Sequence, residues 1–500
     1  MTDIVYSTTA VADAADLVAS ETTDTLWEMV IGLEVHAELA TATKLFSAAP
    51  NRFGSDPNTN IDPVTLGLPG SLPVLNRHAV ELSMRAGLAL HCEVRPCVFA
   101  RKNYFYPDMP KDFQISQYDQ PLNVDGWLEL PSGKRIGIER AHMEEDTGKS
   151  THVGGDGRIH GADYSVVDYN RAGVPLLEIV GRPDIRSAEE ARQYVSELRA
   201  ILVAVGASDG KMEEGSLRVD ANVSVRPAGS SELGTRCEIK NVNSLRSLGR
   251  AIDYEARRQV ALIEAGERIV QETRHWNESA GRTTSGRSKE QAEDYRYFPE
   301  PDLVPVVPGA EWIEAVRAGL PALPADRREA LAAAAATTPA AVALLVERDQ
   351  DGLALAAIAA GGDAARILTH VEHDLAVDGA DQLDPGGLAA LCALEVAGEL
   401  TATQAKAVLA DMVATGRGPA EIAAEKGFEA MDTASLEAIV DETIAANPDE
   451  WTTFVGGDDK ARGKLTGFFV GKVMKATKGQ ADGKAVTGLL HQRRSAGGPG

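Results

Sequence analysis

Several common sources of structure and function are scarce in this sequence. The 500 residues include 4 cysteines, Cys92, Cys97, Cys237 and Cys392, and no CxxC pair. A disulfide framework is therefore excluded, and the thiols point to a reducing, cytoplasmic setting. Cys92 and Cys97, close to His91, lack the second pair that a zinc site would need. No apolar run is long enough to span a bilayer, so no membrane partner is expected. Residues 1–25 have neither the basic start nor the apolar core of a secretory signal; they are acidic, rich in Ala and Thr, and read as a disordered leader. Positive charge is scarce too: 50 Lys and Arg stand against 74 Asp and Glu, a net charge of −24. A chain that holds nucleic acid by bulk electrostatics is normally basic, because phosphate contacts need cations. No DNA partner is expected, and any RNA contact has to use local basic surface.

Such a surface lies near the C-terminal end. From Lys460 onward, Lys460, Arg462, Lys464, Lys472, Lys475, Lys478, Lys484, Arg493 and Arg494 face a single acid, Asp482. A basic tail can equally be a solvated helix face. Composition divides the chain further. Residues 26–308 are rich in strand signals, aromatics and Gly/Pro turns. Residues 309–430 are rich in Ala, Leu and Glu and nearly lack aromatics, as expected of a helical bundle. Residues 431–500 carry short helices and the basic residues. The expected class is α+β: an antiparallel or mixed sheet with helices, then an all-α domain, then a small α-helical tail domain.

The clearest strand covers residues 216–226. Leu217, Val219, Ala221, Val223 and Val225 alternate without a break with Arg218, Asp220, Asn222, Ser224 and Arg226, so one face is buried and the other is uniformly polar. The second face suits the lining of a cleft. Residues 166–170 and 176–180 flank Arg171-Ala172-Gly173-Val174-Pro175 and read as a hairpin. Helices are expected over 188–205 and 245–265.

Val30-Ile31-Gly32-Leu33-Glu34-Val35-His36 also reads as a strand, which puts Glu34 and His36 on one face. A carboxylate and an imidazole two residues apart can grip a divalent ion, with His142-Met143-Glu144-Glu145-Asp146 as a second acidic source. Oxygen-rich ligation with one imidazole suits Mg²⁺ or Mn²⁺ better than Zn²⁺. A solvated strand face is the alternative. Gly148-Lys149-Ser150 imitates a phosphate loop, but that motif needs a glycine at position 143, which is Met. The stretch 101–111 interleaves Arg101, Lys102 and Lys111 with Tyr104, Phe105 and Tyr106. That mixture fits a nucleotide or an RNA terminus, and it equally fits core aromatics with a basic rim.

Taken in order, Gly32-Leu33-Glu34-Val35-His36, Arg101-Lys102-Asn103-Tyr104-Phe105-Tyr106-Pro107-Asp108, His142-Met143-Glu144-Glu145-Asp146, Lys211-Met212-Glu213-Glu214-Gly215-Ser216 and Asp294-Tyr295-Arg296-Tyr297-Phe298-Pro299 resemble the B subunits of glutamyl/aspartyl-tRNA amidotransferases (GatB). The resemblance implies a cradle domain related in fold to glutamine synthetase, a helical domain, and a YqeY-like tail that binds tRNA. It implies that ATP phosphorylates the side-chain carboxylate of misacylated Glu-tRNA(Gln) or Asp-tRNA(Asn), and that ammonia then displaces the phosphate. The implied protein partners are the amidase GatA and the small protein GatC in a heterotrimer, with tRNA(Gln) or tRNA(Asn) as the RNA. Carried onto this chain, the resemblance puts Mg²⁺ with His36, Glu145 and Glu178, Glu34 and Lys102 beside metal, phosphate or substrate, and Lys102 with Asp220 at the nucleotide. Strand alternation leaves Glu144 and Glu145 open; the resemblance favours Glu145.

One departure stands out. Where many family members carry a cysteine-rich zinc knuckle, in the stretch 45–67, this chain has Ser47, Ala49, Asp62 and Thr65. No structural zinc is expected. No amidase signature is visible, which fits ammonia production by a separate protein. Two other readings stand beside the kinase: a tRNA-binding scaffold without chemistry, and a free-standing ATP-dependent amide ligase.

Overall fold

The computed structural model describes residues 18–19, 25–154, 161–286, 295–377, 379–428, 433–477, 481 and 483–496. The leader expected at 1–25 lies outside them apart from residues 18, 19 and 25, as do Lys478 and Asp482 of the basic tail. The chain divides into two units, Met1–Pro324 and Ala325–Gly500.

The first unit is built in the order β1 (Val18–Ala19), β2 (Leu26–Glu38), α1 (Arg77–Ala89), β3 (Glu93–Val94), β4 (Phe99–Asn103), β5 (Phe113–Gln117), β6 (Asn123–Glu129), β7 (Arg135–Glu145), β8 (Lys149–Val153), β9 (Tyr164–Asp168) and β10 (Pro175–Gly181). It continues with α2 (Ala188–Ala204), β11 (Leu217–Pro227), β12 (Cys237–Val242), α3 (Leu245–Glu264), β13 (Thr273–Asn277), β14 (Arg282–Ser285), β15 (Phe298–Pro299) and α4 (Ala310–Ala318). The main sheet has the order β14-β13-β12-β11-β2-β10-β7-β6-β3, with β1 on β2; β15-β4-β5 and β8-β9 form two smaller sheets. The pairings of the main sheet are antiparallel except that of β12 with β13.

Alternation explains the layering. Ile31, Leu33 and Val35 of β2, Leu177 and Ile179 of β10, and Val219, Ala221 and Val223 of β11 are buried in one core with Leu248, Ala251, Ile252 and Ala256 of α3 and Tyr194, Val195 and Leu198 of α2. Helices cover that apolar face, which leaves the opposite, polar face to form the cradle. Three of these helices start on a side-chain cap: Asn76 for α1, Ser187 for α2 and Ser244 for α3.

One expectation changes. Residues 166–170 do not form a hairpin with 176–180: β9 pairs with β8, and β10 pairs with β2 and β7. The link between them is a turn gripped from below, where buried Lys44 donates from Nζ to the carbonyls of Ala172 at 2.5 Å and Tyr169 at 3.3 Å. The division between the two units falls after Pro324. The helix α4 belongs to the cradle core through buried Val316, and Trp312 lies under the Arg77 guanidinium of α1 at 4.7 Å.

The stretch 45–67 is held by hydrogen bonds. Thr65 N–H donates to Asp62 at 2.8 Å and Ala49 N–H donates to Ser47 Oγ at 3.3 Å. Burial opposes the Asp62 charge, but hydrogen bonds from Thr65 and Ser47 and the Lys44 ammonium hold it below the usual carboxylate range.

The second unit is helical: α5 (Pro324–Ala334), α6 (Ala343–Glu347), α7 (Asp351–Ala359), α8 (Ala364–His373), α9 (Pro385–Val396), α10 (Ala402–Thr415), α11 (Pro419–Glu425), α12 (Thr433–Ala445), α13 (Pro448–Gly456), α14 (Asp459–Ala476) and α15 (Gly483–Ala496). It contains two separate cores. One runs from Leu331 to Ala423; the other joins Leu436, Val440, Phe454, Phe469, Val473, Val486 and Leu490. No single described helix is long and apolar enough to cross a membrane.

Candidate active site

Cross-strand partners in an antiparallel sheet point to the same face. Register therefore carries one row, His142, Glu178, His36 and Arg218, across β7, β10, β2 and β11. The row to one side holds Glu144 and Glu38, both opposite Leu176; the row to the other holds Glu34 opposite Asp220. The centre of the cradle floor is thus a patch of carboxylates and imidazoles.

Glu178 sits between two histidines, 3.5 Å from His36 Nε2 and 3.3 Å from His142 Nε2. Burial works against its charge, yet His142 and His36 hold the carboxyl well below the usual range. Burial likewise opposes a charged His36, but the hydrogen bond and charge of Glu178, followed by Asp220 and Glu144, push the imidazole up to about 9. Ser116 Oγ of β5 donates to Glu144 at 3.1 Å and orients it toward the others.

The small sheet supplies the facing side. In its register Lys102 opposes Gln114 and Ala100 opposes Ser116, so Lys102 and Ser116 share a face. The Lys102 ammonium lies 4.7 Å above the Tyr295 ring. Burial opposes its charge, but Glu144 and then Tyr297 and Glu178 hold it above the ordinary lysine value. Tyr297 stands in the same field: burial pushes its hydroxyl up to about 12 against the opposing charge of Lys102, with Glu144 and Glu178 adding to the rise.

His36 and Glu178 of the expected metal set come together, and Glu144 joins them. One ligand atom from each of these three residues lies within 4.8 Å of the others, near the ~4.2 Å between opposite oxygens around Mg²⁺. Glu145 does not join them. It leaves β7 on the other face, where Lys111 Nζ pairs with it at 2.5 Å and Ile115 N–H donates to it at 2.7 Å. A largely buried lysine and a backbone donor already occupy that carboxylate. Glu34 is on the cradle floor, held at 2.9 Å by Asn222 Nδ2. Asp220 is one row from His36 and paired at 2.7 Å with Lys240.

One imidazole and two carboxylates, without thiolate, suit a hard divalent cation. The buried Nδ1 of His142 has no hydrogen-bond partner among the described residues, which leaves its Nε2 side to hold Glu178. His142, Glu144 and Tyr297 are site residues that the sequence reading did not select. Alternation offered a signal for two of them, since Met143 is apolar and puts His142 and Glu144 together on the opposite face.

Residues 29–314 match the family described as the GatB/GatE catalytic domain, and residues 362–493 match the GatB domain. The chain is similar to proteins named as the B subunit of aspartyl/glutamyl-tRNA(Asn/Gln) amidotransferase. The relative in Frankia casuarinae is 52% identical, with 93% of this chain and 95% of that protein covered. In Salinispora arenicola the identity is 51%, covering 94% and 97%, and in Nostoc punctiforme it is 47%, covering 96% and 100%. A catalytic-domain match over residues 29–314, a second domain match over residues 362–493, and about half of all positions shared over nearly full length leave one assignment: this chain belongs to the GatB family of amidotransferase B subunits.

Proposed function

We propose that this chain uses ATP to phosphorylate the side-chain carboxylate of misacylated Glu-tRNA(Gln) or Asp-tRNA(Asn), and that ammonia from a partner glutaminase then displaces the phosphate to give the amide. The carrying observation is the meeting of His36, Glu144 and Glu178 on one sheet face beneath Lys102. A free carboxylate is a poor acyl donor because its leaving group would be oxide. Phosphorylation supplies a good leaving group, and the protein's task is then to position the reactants and neutralise charge.

His36, Glu144 and Glu178 would hold Mg²⁺, which when bound neutralises phosphate charge. Lys102 offers a second, fixed positive charge to the phosphoryl oxygens. Ser116 orients Glu144, and His142 orients Glu178. Glu34 and Asp220, one row away, are candidates for the substrate and nucleotide side. The polar face of β11, from Arg218 to Arg226, continues beyond this patch and would serve as one wall for ammonia. The partners are the amidase GatA, the small protein GatC and tRNA, with the basic α14 and α15 as the RNA contact. Four free, buried cysteines suit the cytoplasm.

The test is transfer of labelled γ-phosphate from ATP to Glu-tRNA(Gln) by the chain with its co-purified partners. Glu144→Gln abolishes the label while tRNA binding persists. Unchanged labelling in that variant would favour a scaffold without chemistry.

A further inference from the structure

The small sheet carries an aromatic pair that the mechanism above leaves unused. Tyr118 follows β5 and Tyr297 precedes β15, the two outer strands of that sheet. Their rings are stacked, 4.3 Å between centroids and 6° between planes. Tyr295 meets Tyr297 edge-on at 6.0 Å and 73°, and it carries the Lys102 ammonium on its face.

The support beneath this ladder is fixed. Asn103 Nδ2 donates to the carbonyls of Tyr295 at 2.8 Å and Arg296 at 3.0 Å. Arg296 takes a φ of 47°, which turns the chain between the two tyrosines. Arg101 then grips buried Glu300 through two bonds of 2.6 and 3.0 Å. A stack whose purpose was packing would bury its outer ring, yet Tyr118 remains 48% exposed. A rigid, wet aromatic ring close to a phosphate-side lysine combines the two elements that recognise a nucleotide: a face for the base and a cation for the phosphates.

The geometry points to Tyr118, backed by Tyr297, as a stacking platform for the adenine of an adenosine, either that of ATP or that of the RNA's 3′ end. This rests on the ATP- and tRNA-dependent reading above and adds the place where the base is held. Tyr118 touches the ligand and Tyr297 positions it.

The experiment uses the full chain with its partners and compares wild type, Tyr118→Leu and Tyr118→Phe. Three ligands are titrated in the presence of Mg²⁺: ATP, inorganic tripolyphosphate, and a glutamylated hairpin RNA ending in adenosine. Loss of a base stack costs a factor between about 5 and about 150. Tyr118→Leu weakens either ATP or the hairpin by that factor, Tyr118→Phe restores it, and tripolyphosphate binds equally to all three proteins. Whichever of ATP and hairpin is weakened identifies the source of the adenosine. Equal affinity of both for wild type and Tyr118→Leu overturns the platform, as does a matching loss for tripolyphosphate. If wild type bound neither ATP nor tripolyphosphate, the underlying functional reading would fall first, and with it the platform.

Discussion

Glu144 and Glu145 are consecutive on β7 and face opposite ways: Glu144 toward His36 and Glu178, Glu145 toward Lys111 and the backbone of Ile115. Their substitutions should therefore separate. Glu144→Gln lowers phosphoryl transfer by about 100-fold or more, since it removes one carboxylate of the set proposed to hold Mg²⁺, and leaves the melting temperature close to wild type. Glu145→Ala strands a buried ammonium and costs about 3–5 kcal/mol of stability, read as a lowered unfolding midpoint. Loss of metal affinity at unchanged stability in Glu145→Ala would reverse the assignment.

Chelation should separate fold from chemistry in the same way. Treatment with EDTA removes phosphorylation while circular dichroism stays unchanged, because the cradle core is built from buried apolar side chains rather than from the residues proposed to hold the ion. Mg²⁺ or Mn²⁺ restores activity. In His36→Ala the midpoint of Mn²⁺ binding, followed by paramagnetic resonance, rises about tenfold or more if His36 is one of the three proposed ligands. An unchanged midpoint would remove His36 from the set.

The sheet was legible because β2 and β11 alternate over long stretches, and alternation marks a strand with one buried face. The two helices α2 and α3 were legible through period and capping serines. The hairpin at 166–180 was misread because the turn at residues 171–174 looks local. It is set by Lys44, more than a hundred residues away in sequence, and no local pattern encodes that grip. His142 and Glu144 could have been read from Met143, whose apolar side chain sets the phase of β7. Tyr297 could not, since its place over the carboxylate cluster depends on the pairing of Phe298 with Arg101 across the small sheet.

Lys44 makes a pH prediction. Burial, the largest influence, lowers its ammonium from 10.5 to about 8 although Asp62, Glu145 and Asp168 favour the charge. Between pH 8 and 10.5 the unfolded chain keeps a proton that the folded chain has lost. The unfolded state then binds more protons, so this residue makes stability rise with pH across that window and leaves it flat below. In Lys44→Met that rise, about 1–3 kcal/mol, is missing. The comparison of urea midpoints for both proteins at pH 7.5 and 9.5 reads it directly, and parallel pH dependence in the two would refute it.

The basic tail divides into cations that hold the fold and cations that face outward. Arg493 is tied to Glu437 at 2.9 Å and to Asp441 at 2.7 Å, joining α15 to α12. Lys460, Lys464 and Lys475 of α14 are exposed. If the tail holds tRNA, exchanging these three lysines for alanine weakens tRNA binding by about tenfold or more at low salt. It also flattens the dependence of log K on log salt by about 0.7–0.9 for each phosphate that is no longer neutralised. Melting of the chain and ATP affinity remain as in wild type, because α14 packs through Phe469 and Val473 on its other side. Arg493→Ala does the reverse, loosening α12 from α15 and lowering the melting temperature first. Equal salt slopes for the triple variant and wild type would mean that the acidic chain takes its RNA elsewhere.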